Sequence, residues 1–184
     1  MPQNVSIQLS ETWKSICEKY SALDHHLTLE LITKNLDAFV AAFYKQMLVE
    51  PESAEYFSDN IIQKRLIDTL KAWLLETFNV ALNGQYESAV LRQQKVGNVH
   101  ARVGIPSWLI MRGVREIERT MFEYIASDSS TNYMNVVSYV VQLLGFSTEI
   151  MCRTYEDKTA KNHEVKHSYR LFSAMQDVAV HKDR

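Results

Sequence analysis

Apolar side chains recur at steps of three and four along most of the chain, and no segment alternates for long enough to make a credible strand pair. Residues 28–49 show the pattern most clearly. Leu29, Ile32, Leu36, Phe39, Val40, Phe43 and Met47 fall on one stripe, with Tyr44 on its edge. Pro51 ends this helix, because proline disfavours helical geometry in the residue before it. A link over 52–60 contains Tyr56 and Phe57. The helical pattern resumes over 61–82 through Ile62, Leu66, Leu70, Trp73 and Thr77, and Asn83-Gly84 closes it with a pair suited to left-handed backbone. The next helix, 86–103, carries His100 in its last turn among Val96, Val99 and Val103. Gly104 provides its stop, and Pro106 suits the first turn of the helix that follows.

That helix, 106–127, presents Trp108, Met111, Val114, Ile117, Met121 and Ile125. After a polar loop at 128–132, residues 133–155 are apolar on more than one face, through Val136, Val137, Val140, Val141, Leu144, Ile150 and Met151. A helix apolar on two sides is buried on two sides. One side is expected to cover its own domain, and the other, with Gly145 permitting close approach, to meet a partner subunit. Residues 157–166 are strongly polar and read as a solvated connector, after which Tyr169, Phe172, Met175 and Ala179 resume an amphipathic pattern that runs on without a capping signal. This suggests a segment that continues into something longer. At the front, 10–20 reads as a short helix with Ser10 as N-cap and Trp13, Ile16, Cys17 and Tyr20 on one face. The expectation is an all-α globule of about seven or eight helices.

Composition narrows the function. The 184 residues suit one domain of ordinary size, and 20 basic against 22 acidic side chains leave net charge −2, so bulk charge gives no case for nucleic acid. The two cysteines, Cys17 and Cys152, are distant and belong to no motif; they read as free thiols in a reducing compartment, hence cytoplasmic. The N-terminus lacks the basic start and apolar run of a secretory signal. The most apolar segment, 136–146, is interrupted by Ser138, Tyr139 and Gln142 and falls short of the roughly 20 residues a bilayer span needs.

Two residues carry chemistry. His100 beside its valines admits two readings, a satisfied core histidine or a ligand to iron, for which neutral imidazole is a common donor. A histidine at a helix C-terminus tends to hold a proton against the dipole, whereas metal bonding needs the neutral form. Tyr44 is either a core-edge tyrosine with its hydroxyl in water or a hydrogen-bond donor to a gas held at such an iron, a bond contributing about 1.5–3 kcal/mol to a ligand of partial negative charge. His163-Glu-Val-Lys-His167 matches the zinc-protease spacing, but it lies in the polar connector and lacks a third ligand, so a catalytic zinc site is rejected. There is no glycine-rich phosphate loop, Gly-x-Ser-x-Gly elbow, Cys-x-x-Cys pair or Gly-Gly-Asp-Glu-Phe signature, and no catalytic site is identified. Lys64, Arg65 and Lys71 read as a solvated helix face.

The order Phe43-Tyr44, then Leu66, then Val99-His-Ala-Arg-Val-Gly-Ile-Pro106 resembles the globin domain of the globin-coupled sensors, above all those whose output module is a diguanylate cyclase. The likeness extends over about 12–155, and the pieces Glu149-Ile-Met151 and Tyr169-Arg-Leu-Phe-Ser173 also fit. It implies a globin fold (a three-over-three helical sandwich) with an extra N-terminal helix. It implies haem b (iron protoporphyrin IX) held by His100 as the proximal ligand, with Tyr44 as the distal donor to O2 and Leu66 as an apolar gate beside Leu70. Phe43, Val96 and Val103 would complete the pocket. CO or NO would bind as well. No histidine lies in 61–82, where oxygen-storage globins carry theirs, which fits a tyrosine in the distal role. A homodimer through the last two globin helices, no nucleic acid and no membrane are expected. Residues 1–157 would form the sensor, and 158–184 a connector and the start of a linker helix toward an output domain making cyclic di-GMP. Two rivals are a haem oxidant, such as a nitric oxide dioxygenase or peroxidase, and a haem-free helical interaction domain.

Overall fold

The structure, a computed structural model, describes residues 3–57, 60–127 and 133–180; for 3, 55, 60–64, 133 and 162–180 it describes the backbone alone. Its first helix, α1 (Gln3–Cys17), begins earlier than Ser10 because Leu9 and Val5 continue the buried line of Trp13 and Ile16 upstream. Ser10 is therefore interior to the helix, and its hydroxyl donates to the Ile7 carbonyl at 2.7 Å. Helix α2 (Ala22–Val49) also starts sooner than the apolar stripe suggests. Ser21 and Asp24 form a reciprocal capping box, each side chain accepting from the other's backbone N–H, so a polar signal sets this boundary.

At the other end Glu50 is extended, as expected ahead of Pro51. The following link is more ordered than a polar connector. A short helix α3 (Pro51–Ala54) leads into a 3-10 turn (Glu55–Phe57) that buries Phe57. Helices α4 (Asn60–Asn83), α5 (Tyr86–Val103) and α6 (Ser107–Ser127) follow closely the periodicity that predicts them. On α6 the buried line is Leu109, Ile110, Val114, Ile117, Met121 and Ile125, while Trp108 and Met111 stay exposed.

The last helix differs most. Helix α7 (Tyr133–Val180) runs through residues 157–166 without a break. That stretch holds no glycine or proline, and lysine, alanine and glutamate sustain a helix whether or not there is a core to cover. Met134–Lys161 is long and apolar enough by composition to cross a membrane, longer than the segment singled out above; half of its most apolar 18 residues are buried inside the protein, and Val136, Tyr139, Leu143, Leu144 and Ile150 are among the buried residues of the stretch.

Packing is pairwise. Helix α2 lies on α4 and α6, α5 lies on α7 and α1, and α6 returns against α7. A buried polar network ties α4 to α5: Trp73 Nε1 donates to Gln93 Oε1 at 2.7 Å, and Gln93 Nε2 donates to Thr77 Oγ1 at 3.4 Å, with all three residues buried. An unpaired buried donor costs about 1–3 kcal/mol, more than a made hydrogen bond contributes. Gln93→Leu should therefore destabilise the protein by about 1–3 kcal/mol in urea denaturation. A change within about 0.5 kcal/mol would mean that the network does not hold these helices.

Candidate functional site

His100 owes its position to an abrupt helix stop. Gly104 takes φ 82°, and its N–H and that of Ile105 both donate to the His100 carbonyl at 3.0 Å. An L residue there would be disfavoured by about 1–2 kcal/mol. Within this locked turn the half-buried imidazole folds back along the helix, placing Nδ1 2.8 Å from the Val96 carbonyl oxygen. A carbonyl only accepts, so Nδ1 carries the proton and Nε2 keeps its lone pair. Among the described residues none hydrogen-bonds to Nε2. Burial holds the imidazole below its ordinary value of 6.5, partly opposed by the bond to Val96. Desolvation thus outweighs the hydrogen bond to Val96, and the ring is neutral with one nitrogen free to bind a metal.

A second group forms on α2 and the turn after it. Phe43, Tyr44 and Phe57 make mutual edge-to-face contacts, with ring centroids 5.1 Å (Phe43–Tyr44), 5.5 Å (Tyr44–Phe57) and 6.3 Å (Phe43–Phe57) apart. Tyr44 is buried, and burial pushes its phenol up to about 12, so it remains an O–H donor at any physiological pH. Among the described residues none accepts that hydrogen. A methyl group on Gly113 of α6 would press into the Phe43 ring, so the ring's seat depends on a glycine.

Tyr56 runs between the two groups. Its hydroxyl donates to the Gly104 carbonyl at 3.2 Å, tying the turn that carries Phe57 to the cap of the His100 helix. The sequence pattern puts Tyr56 and Phe57 in a link and gives them no role; an adjacent aromatic pair in an otherwise polar stretch is the available signal. Leu66 and Leu70 sit one turn apart on α4, both half-buried and packed on the core, as is Val96. Val103 is 53% exposed and stands outside that packing. Lys71 is paired with Asp37. The side chains of His163 and His167 lie outside the described residues, among which no cluster of three or more His, Cys, Asp or Glu is placed to hold a metal.

The fit to an iron porphyrin therefore rests on a donor set: a neutral imidazole with a free nitrogen, a buried phenol with a free hydrogen, and apolar side chains on α2, α4 and α5. A family model described as Protoglobin matches residues 25–161. The diguanylate cyclase DosC of Shigella boydii serotype 4 is 22% identical over 181 residues, covering 96% of this chain and 39% of that protein. DosC of Escherichia coli K12 is 21% identical over the same length and the same shares. The chain thus spans well under half the length of these relatives. The ferric globin domain of E. coli DosC superposes with a TM-score of 0.75 at 19% identity, covering 79% of this chain and 99% of that domain. The globin domain of a Geobacter sulfurreducens globin-coupled sensor gives 0.67 at 20%, covering 79% and 96%. The fold is a globin fold, with α1 as the additional N-terminal helix.

The neutral state of His100 has a consequence for stability. In the unfolded chain the imidazole takes up a proton near pH 6.5, whereas in the folded chain it does so only at lower pH. Its contribution is complete above pH 6.5 and is lost as pH falls from there through the folded value. Burial shifts His25 the same way. Haem-free protein should therefore unfold at lower urea concentration at pH 5 than at pH 7, and His100→Leu should shrink that difference while leaving the share from His25. An undiminished difference in the variant would show that His100 is not the buried neutral group described.

Proposed function

The chain belongs to the protoglobin family, and we propose that it is the gas-sensing domain of a globin-coupled sensor, holding haem b through His100. The observation that carries this reading is the imidazole itself: Nδ1–H is committed to the Val96 carbonyl, the ring is neutral, and Nε2 is free. Histidines that ligate metals commonly donate their other N–H to a carbonyl or carboxylate, which orients the ring and raises the basicity of the ligating nitrogen. Haem, when bound, supplies an iron centre at which a diatomic gas binds reversibly.

The remaining roles fall to this chain's own side chains. Tyr44 supplies an O–H donor for the bound gas, rigidly held by Phe43 and Phe57. Such a donor favours O2, whose outer atom carries more negative charge, over CO. Leu66 and Leu70 restrict water, Phe43 and Val96 pack the pocket, and Val103 borders it toward solvent. Residues 1–157 form the sensor unit, and 158–184 lead toward an output module that, by the likeness to DosC, is a diguanylate cyclase making cyclic di-GMP. A homodimer through α6 and α7 is supported by exposed Met111 and Val141 and by open space around Gly145. The free thiols of Cys17 and Cys152 suit a reducing cytoplasm.

The visible spectrum of the purified protein tests the cofactor, and absence of haem absorption after reconstitution would sink the reading. His100→Ala should abolish tight haem binding; a retained five-coordinate ferrous spectrum would remove His100 as ligand. Tyr44→Phe should speed O2 dissociation roughly 10- to 150-fold with a much smaller effect on CO. Equal acceleration of both gases would refute the hydrogen bond.

A further inference from the structure

Three residues before His100, α5 meets α7 with no side chain between the two backbones. A methyl group built on Gly97 would lie 3.0 Å from the carbonyl carbon and 3.1 Å from the Cα of Met151, and closer still to the Met151 carbonyl oxygen. The obstacle is backbone on both sides, so no rotamer change can relieve it. Any residue but glycine must push α5 off α7. The neighbourhood is built for this approach: Gly97 is buried, and the facing part of α7 carries the small buried side chains Ser147 and Thr154 on either side of Met151.

We propose that Gly97 is the positioning residue for His100: it seats the ligand-bearing turn of α5 directly on the α7 backbone at Met151. Gly97 and His100 share one helical turn, and the bonds from Gly104 and Ile105 to the His100 carbonyl lock the turn that follows it, so the His100 backbone is held at a set distance from α7. Movement of His100 along or away from its own helix is then delivered to α7 at Met151 as movement of the helix. The inference rests on the reading of His100 as the haem ligand.

Gly113 supplies the matched control. A methyl group there meets the side chain of Phe43, with the ring's Cδ2 and Cζ at 3.5 Å and its Cε2 nearer, so the same substitution on the Tyr44 side presses on a ring and not on backbone. Gly97→Ala and Gly113→Ala are each loaded with haem and measured in two ways. Resonance Raman of the ferrous protein should show the iron–histidine stretch shifted in Gly97→Ala and unmoved in Gly113→Ala. Amide hydrogen exchange on the haem-free proteins should be about tenfold faster across residues 93–103 and 147–155 in Gly97→Ala only.

An unshifted stretch in Gly97→Ala, or the same shift in both variants, overturns the proposal. Should Gly97→Ala fail to fold, the unaltered protein decides: CO binding should change amide exchange around Met151 together with that of α5, and a change confined to α5 overturns it. Failure of the underlying reading looks different, because the unaltered protein would then show no iron–histidine stretch at all.

Discussion

The contact between the α5 and α7 backbones at Gly97 fixes what the rest of α5 can do. Hydrophobic burial is non-directional and would tolerate α5 at many rotations about its axis. The seat at Gly97 permits one, because only the face without a side chain can lie against Met151. Gln93, one turn earlier, binds Trp73 of α4 and holds the same orientation from a second direction. Gln93, Gly97 and His100 are spaced four and three apart and so share a face. An imidazole at the third of these positions is turned toward the protein interior by the same constraint that satisfies the first two.

Within that setting the charge state of His100 is a contest of known signs. The carbonyls left unpaired at a helix C-terminus favour a cation, and the hydrogen bond from Nδ1 to Val96 also favours keeping a proton. Burial opposes the proton and outweighs that hydrogen bond. The outcome matters because a protonated ring has no lone pair to give. The Val96 bond does not merely lose this contest; it chooses which nitrogen stays bare, and thereby makes the tautomer a property of helix geometry rather than of the ligand.

Much of this was legible from residue order. Helices α4, α5 and α6 are readable because their apolar stripes are long, Asn83-Gly84 and Gly104 stop the first two, and Pro106 marks the start of the third. The front of the chain was not: Ser21 with Asp24 makes a cap from polar residues that hydrophobic periodicity ignores, and Leu9 extends α1 upstream of the residue taken as its start. His100 and Tyr44 stood out through their local company and the resemblance it carries. Gly97 and Gln93 did not, because each matters through a partner distant in sequence: a backbone carbonyl 54 residues later for Gly97 (position 151 against 97) and an indole on another helix for Gln93. Sequence spacing does not register a contact whose defining feature is an absent side chain. Tyr56 belongs to the same class, since its hydroxyl acts on a backbone atom 48 residues away.

The unbroken course of α7 gives the polar stretch after Tyr155 a different meaning from that of a loose connector. Its buried part, through Val136, Leu144, Ile150 and Thr154, nucleates and anchors the helix. Propagation from an existing helix needs only one further hydrogen bond per residue ordered, so residues 157–166 can remain helical with little burial. At 1.5 Å rise per residue, 48 residues reach about 70 Å. A flexible linker would absorb a displacement arising at Met151 within a few residues, through its free dihedrals. A continuous hydrogen-bonded helix is far stiffer than such a linker, so on the proposed role of Gly97 a displacement at Met151 would be carried along α7 rather than absorbed. The scarcity of apolar residues in that stretch, Ala160 and Val165 alone, is therefore compatible with mechanical continuity, because the backbone ladder and not the side chains upon it would carry such a motion.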